Sequence, residues 1–311
     1  MDEDAASSSL RAGNAIISDC SRGQVTKMKT AVLLLSCPGM LARQGVVAAI
    51  SNFITAHHGG ILHSDDHPDN GQGLFFSRLE WDLEGFDLPI AEFETPFHHV
   101  ADRFLMKYRL VLSDHRPRVA ILVSNYDHCL ADLLYRHHND ELACEIPLIC
   151  SNHTNAERLA DFYKVPFLAV VGKEKAETER EILSALRQHD VDLIVLARYM
   201  QILSPEFVKQ FECRILNIHH SFLPAFVGAK PYHQAFERGV KLIGATSHYV
   251  TSDLDEGPIV EQDVVRISHR DRIADLIQKG RDLERVVLSR AVRWHLENRV
   301  LICGNRTVVF N

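Results

Sequence analysis

Val191-Asp-Leu-Ile-Val-Leu-Ala197 is a short apolar run that follows a helical stretch, residues 175–189, in which Ile182, Leu183 and Leu186 form one stripe. A run of that length bounded by polar residues reads as a buried strand. The same sign recurs upstream in Val119-Ala-Ile-Leu-Val123, Ile146-Pro-Leu-Ile-Cys150 and Phe167-Leu-Ala-Val-Val171. Strands alternating with helices imply βαβ units, and hence a mainly parallel sheet with helices on both faces. Ligands bind such sheets beyond the carboxyl ends of the strands. Those ends are Ser124-Asn125, Ser151-Asn152, Arg198-Tyr199 and Asn217-Ile-His219.

Downstream lies the stretch richest in reactive side chains. Asn217-Ile-His-His-Ser-Phe-Leu-Pro-Ala-Phe226 follows the apolar Arg214-Ile-Leu, and alternate strand residues share a face, so Asn217 and His219 should both turn toward a cleft. An amide and an imidazole there can donate to an oxygen that gains charge as a carbonyl becomes tetrahedral. Gly244-Ala-Thr-Ser-His-Tyr-Val-Thr-Ser-Asp-Leu-Asp-Glu-Gly-Pro258 adds the carboxylate of Asp255, suited to taking a proton from water and passing it on. Taken alone, Asn-x-His is equally a structural pair, and Asp253 and Asp255 equally Asx-turn residues. Residues 271–298 read as a long packing helix with Ile273, Leu276, Ile277, Leu283, Val287 and Leu296 on its buried stripe, and residues 300–310 as a hairpin turning at Gly304-Asn305.

Upstream, Ala31-Val-Leu-Leu-Leu-Ser36 reads as a strand, residues 45–57 as a helix, and Gly60-Ile-Leu-His63 with Leu74-Phe-Phe-Ser-Arg-Leu-Glu-Trp81 as a hairpin closed by the polar segment Asp65 to Gly71. Ile90, Phe93, Phe97, Val100 and Phe104 recur at helical steps before a last strand, Tyr108-Arg-Leu-Val-Leu112. The order βαββαβ is the ferredoxin-like unit. Leu34-Leu-Ser-Cys-Pro38 and Gly45-Val-Val-Ala-Ala-Ile-Ser51 resemble the ACT modules that sense small molecules, except that Gly39 stands where those modules carry Asp. The division expected is a disordered leader at 1–28, an ACT domain at 29–113, a linker at 114–118 and a catalytic domain at 119–311.

Composition narrows the partners. A net charge of -7 over 311 residues argues against nucleic acid, which needs clustered Lys and Arg. No apolar run approaches the roughly 20 residues that span a bilayer. Seven cysteines, odd in number and never as C-x-x-C, signal neither zinc nor a disulfide framework and fit a reduced, cytoplasmic protein. His63 and His67 flank Asp65 and Asp66 without a third ligand at fixed spacing, so no metal is expected there.

The constellation as a whole resembles the formyltransferase family that uses formyltetrahydrofolate. The resemblance runs through Asn217, His219, Ser221-Phe-Leu-Pro224, Gly228, Gly244-x-x-x-His248 and Asp255. It implies a Rossmann-like catalytic domain with Asn217, His219 and Asp255 as the catalytic set. Met200, Gln201, Ile202, Leu203, His248 and Val250 would line the folate pocket, and His220 and Lys230 would stand near the water site. Asp127-His-Cys-Leu130, Leu196-Ala-Arg-Tyr-Met-Gln-Ile-Leu-Ser-Pro205 and His220 resemble the deformylase branch, which joins an ACT domain to this catalytic domain. That branch hydrolyses 10-formyltetrahydrofolate to formate and tetrahydrofolate, with no permanently bound cofactor and no metal. The activity would supply formate for purine synthesis, in a homo-oligomer whose ACT domain takes an amino-acid effector, glycine or methionine. The alternatives are formyl transfer to an amine and a non-catalytic amino-acid sensor. Against the first, the loop Ser124-Asn-Tyr-Asp-His128 has no glycine to cradle a phosphorylated amine and carries an extra carboxylate.

Overall fold

A computed structural model describes residues 28–42, 44–225 and 231–310. The first unit contains β1 (Thr30–Pro38), α1 (Gly39–Ala42), α2 (Val46–Ala56), β2 (Gly60–Asp69), β3 (Leu74–Asp82), α3 (Glu94–Arg103) and β4 (Lys107–Leu112). Its four strands pair antiparallel in the order β2-β3-β1-β4, the ferredoxin-like arrangement. Alternation along β1 explains why that strand is apolar throughout. Ala31, Leu33, Leu35 and Cys37 pack with Ile50, Ile54, Phe93 and Phe97 from the helical layer, whereas Val32 and Leu34 turn to the other face.

One expectation fails here. The polar segment Asp65 to Asp69 is strand, not turn, and the chain reverses only at residues 70–73. β2 is an edge strand with mostly exposed residues, and an edge tolerates the charges and the proline, Pro68, that an interior strand rejects. His63 and His67 therefore lie along an extended edge, opposite Glu80 and Phe76 of β3. The helix expected over Ile90 to Phe104 is also shorter, a 3-10 turn at Ile90–Glu92 followed by α3.

The second unit contains β5 (Arg118–Val123), α4 (His128–His138), β6 (Glu145–Ser151), α5 (Glu157–Tyr163), β7 (Phe167–Ala169), α6 (Lys175–Gln188), β8 (Leu193–Leu196), α7 (Pro205–Gln210) and β9 (Ile215–His219). It continues with α8 (Pro231–Arg238), β10 (Leu242–Tyr249), β11 (Ile259–Arg266), α9 (Ile273–Leu296), β12 (Val300–Cys303) and β13 (Arg306–Val309). Seven strands lie in the order β11-β10-β9-β8-β5-β6-β7. β7, β6, β5, β8 and β9 run parallel, β10 runs antiparallel to β9, and β11 at the edge reverses again and runs antiparallel to β10. Val119, Ile121 and Val123 of β5 enter the core shared with α4 and α9, and Ala120 and Leu122 enter the core with α6 and α7. Burial on both faces is why these strands read as unbroken apolar runs.

β5 lies between β6 and β8, so the chain changes direction of winding at its carboxyl end and opens a crevice there. The long helix α9 is buried through Leu276, Gly280, Glu284, Val287, Leu288 and Leu296. Ile273, Ile277 and Leu283, expected on that stripe, are only half-buried because the contact face is rotated toward Glu284. The β12–β13 hairpin crosses to the first unit, where Phe310 joins Val32, Leu34 and Phe76 in one cluster. Arg78 fixes the same seam by donating from Nε to the carbonyl of Asn298 over 3.0 Å.

Candidate active site

β9 delivers Asn217 and His219 to the crevice, and its neighbour β10 sets their surroundings through the pairs His248–Asn217 and Thr246–His219. The ladder between β10 and β11 shifts register at Ser247/His248. Such an irregularity re-aims the side chain next to it. His248 Nδ1 lies 3.0 Å from the Tyr249 carbonyl, which can only accept, so Nδ1 carries a proton. His248 Nε2 is left for Asn217 Nδ2 at 3.2 Å and for Asp255 Oδ1 at 3.7 Å. His219 Nδ1 faces Asp255 Oδ2 at 3.3 Å. One carboxylate thus ties together both imidazoles, and through His248 the amide.

The loop after β10 places that carboxylate. Tyr249 N donates to Pro258 O over 2.9 Å, closing the loop at its base. Gly257 passes so near this closure that an added Cβ would lie 1.8 Å from the Tyr249 carbonyl oxygen, a place only glycine can occupy. Asp255 adopts a left-handed backbone with φ 58°, a conformation that Asp tolerates better than most residues. The contacts with His219 and then with His248 hold its carboxyl well below the usual carboxylate range, against the opposing effect of burial. Asp255 is therefore ionised at neutral pH.

A cavity of about 430 Å³ opens over this group. Its walls include Met200, Gln201, Ile202, Leu203, Asn217, His219, His220, His248, Val250 and Asp255. Every site residue expected from sequence except Lys230 is among them, and Lys230 lies outside the described residues. Met200 and Ile202 are 53% and 61% exposed, an apolar surface ready for a flat aromatic ligand. Ser124 secures that wall by accepting from Met200 N over 3.0 Å while donating to Asn152 Oδ1 over 2.7 Å. His219 is 6% exposed, and its Nε2 has no hydrogen-bond partner among the described residues.

Behind His220 lies a second polar group that sequence reasoning missed. Glu284, 1% exposed, meets His128 Nε2 at 2.8 Å through Oε2 and accepts the Tyr232 hydroxyl at 2.6 Å through Oε1. Gly280, one turn earlier on α9, leaves room for that hydroxyl, since a Cβ there would sit 2.0 Å from it. Burial would raise the Glu284 carboxyl, but the contacts from His128, Arg198 and Tyr232 outweigh it and lower the pKa. The sign in the sequence is an acid at the four-residue spacing of Gly280 and Leu288 on a buried helix face. Burial, and then the charges of Arg198 and His219, push His220 down to about 4, so it is neutral at pH 7.

His128, Cys129 and Glu284 are the one group of metal-type ligands found among the described residues, with all ligand atoms within 4.8 Å. His128 and Glu284 already bond to each other, and burial raises the Cys129 thiol well above its ordinary value. Arg198 and Arg281 lie 5.7 and 5.2 Å from the Tyr126 ring centroid, so two cations stand beside the loop that carries Asp127. No glycine lies between Ser124 and His128.

Residues 117–292 match the Formyl transferase family. Over 283 residues the chain is 53% identical to the formyltetrahydrofolate deformylase of Synechocystis sp., covering 90% of this chain and 98% of that protein. The chain belongs to the formyltetrahydrofolate deformylase family. The deformylase of Bacillus subtilis is 48% identical over 282 residues, covering 90% of this chain and 93% of that one. The crystal structure of a formyltetrahydrofolate deformylase from Pseudomonas syringae pv. tomato superposes with a TM-score of 0.88 at 46% identity, across 93% of this chain and 96% of that one. Likeness to this deformylase therefore extends over both sheets, not only over the formyltransferase part.

Proposed function

We propose that this protein hydrolyses 10-formyltetrahydrofolate to formate and tetrahydrofolate, with Asn217, His219 and Asp255 as the reacting set. The observation that carries the proposal is the cavity that joins an apolar wall, Met200 to Leu203, to one ionised carboxylate and two imidazoles. Asp255 accepts from water and takes its proton as the new C–O bond makes that water acidic. Asn217, with one N–H engaged by His248, offers the other to the carbonyl oxygen as it becomes an oxyanion. His219, anchored at Nδ1 by Asp255, offers Nε2–H to the same oxygen. The C–N bond then breaks with its electron pair going to N10, and Asp255 returns the proton there.

Water is favoured over an amine because the glycine-free loop after β5 offers no cradle for a phosphorylated acceptor. Incubating the protein with 10-formyltetrahydrofolate alone and assaying both products tests this. Formate and tetrahydrofolate in equal amounts are expected, and turnover that starts only when an amine is added would reassign the enzyme to formyl transfer.

The ferredoxin-like unit serves in this reading as an ACT-type regulatory domain, binding glycine or methionine, within a cytoplasmic homo-oligomer that supplies formate for purine synthesis. In support, a cavity of about 750 Å³ lies along the seam between the units, bordered by His63, Asp65, Arg78, Glu80, His115 and Arg299. Its paired charges suit a zwitterion. No helix among the described residues is long and apolar enough to cross a membrane.

A further inference from the structure

Arg198 is an anomaly in a folded protein. It is 8% exposed, yet its guanidinium donates no hydrogen bond among the described residues. Its Nε approaches Glu284 Oε2 at 3.4 Å without hydrogen-bonding geometry, while that carboxylate is hydrogen-bonded to His128 and the Tyr232 hydroxyl. The ring of Tyr126 flanks it at 5.7 Å. Its backbone is left-handed, with φ 63°, a strained state for a long side chain. A buried guanidinium normally satisfies its planar fork with oxygens. Among the described residues Glu284 is its one ion-pair partner, and the fork makes no hydrogen bond.

Its position gives the missing partner. Arg198 lines the same cavity as Asn217, His219 and Asp255. Arg198 follows the carboxyl end of β8, whose last residue Leu196 pairs with Asn217 of β9, and its charge acts on His220, the neighbour of His219. The reaction proposed above turns a neutral formamide beside His219 into a carboxylate, and Asp255 is an anion that would repel it.

We propose that Arg198 is the carboxylate-binding residue of this site, holding the one-carbon carboxylate as hydrolysis produces it. The inference rests on the hydrolytic reading. Water supplies the second oxygen, the C–N bond breaks toward N10, and the two oxygens of the released formate match two N–H groups of one guanidinium. Glu284, His128 and Tyr232 hold the guanidinium in place without consuming its fork. A carboxylate could instead belong to the glutamyl tail of the folate, but the tail is at the far end of the substrate from the formyl group.

Binding of 13C-formate to the intact protein, followed by NMR titration in the absence of folate, tests the site apart from turnover. Saturable binding is expected in the parent protein. Arg198→Lys, which keeps the charge, should retain weakened binding, and Arg198→Gln should weaken it by about tenfold or more, the loss of one charge-assisted contact. Steady-state inhibition by formate should weaken in parallel. Because Arg198→Gln leaves Glu284 less compensated, the double variant Arg198→Gln/Glu284→Gln serves as a control with the charge balance restored. Absence of saturable formate binding to the parent protein would overturn the proposal, as would a folded Arg198→Gln that binds formate unchanged. A KM that rises in Arg198→Gln in proportion to the number of glutamates on the substrate would assign the residue to the tail and overturn it too. Failure of the hydrolytic reading shows separately, as no tetrahydrofolate formed by the parent protein.

Discussion

Two histidine–carboxylate pairs stand at the crevice of the larger sheet. Glu284 is almost wholly enclosed, and both of its oxygens are taken by His128 and Tyr232. Asp255 sits on a loop at the rim, and its partner His219 keeps Nε2 without a partner among the described residues. The chemistry of the pairs is the same; what separates them is saturation. A saturated pair contributes position, and a pair with an unmet donor is poised to act on something else.

The largest effect that separates them is on rate. Asp255→Asn removes the charge that anchors His219 and His248 and should lower kcat by on the order of 10²- to 10⁴-fold. Folate binding, followed by fluorescence quenching, should persist. Unchanged kcat would place Asp255 among the structural pairs.

Glu284→Ala should act mainly on stability. It strands His128 and Arg198 without their anion and should cost about 3 kcal/mol in urea unfolding. A Glu284→Ala protein as stable as the parent would mean that the buried pair gives the fold nothing. His248→Ala comes next, with a kcat loss of about tenfold through the freed Asn217 amide and an unchanged KM. His248→Gln, which can still accept from Asn217, should recover part of that loss.

A separate effect, on pH dependence, belongs to two histidines that form no ion pair with a carboxylate among the described residues. His220 and His295 are both pushed down to about 4, first by burial. Between pH 6.5 and 4 the unfolded chain binds protons there that the folded chain refuses, so stability should fall as pH falls through that window and level off below it. Above pH 6.5 neither residue contributes a slope. Asp255 adds its own loss only lower, because its lowered pKa stabilises the fold above the unfolded value of 3.8 and is forfeited as pH drops beneath it. A thermal midpoint that is flat from pH 7 to 4.5 would contradict the burial of these two rings.

Strand periodicity made the open pair legible and hid the closed one. Asn217 and His219 alternate on β9 and read directly as two groups facing one cleft, and the doubly buried strands read as apolar runs. The loop bounded by Gly257 announced Asp255. Spacing along α9 puts Glu284 on a buried face, but its partners arrive from the start of α4, the end of β8 and α8, contacts that no local pattern encodes. β2 failed differently. An edge strand need not be apolar, so Asp65 to Asp69 carried a turn's composition on a strand's backbone.

The β12–β13 hairpin, which closes Phe310 over Val32, Leu34 and Phe76, also sets an order of assembly. Synthesis proceeds from the amino end, and early units begin to fold as they emerge. β1 and β3 can pair and gather their helices at once, but one greasy side of that sheet must wait, uncovered, until the entire second unit has been translated. The protein thus carries a period of vulnerability during its own manufacture, when that surface is open to stray contacts.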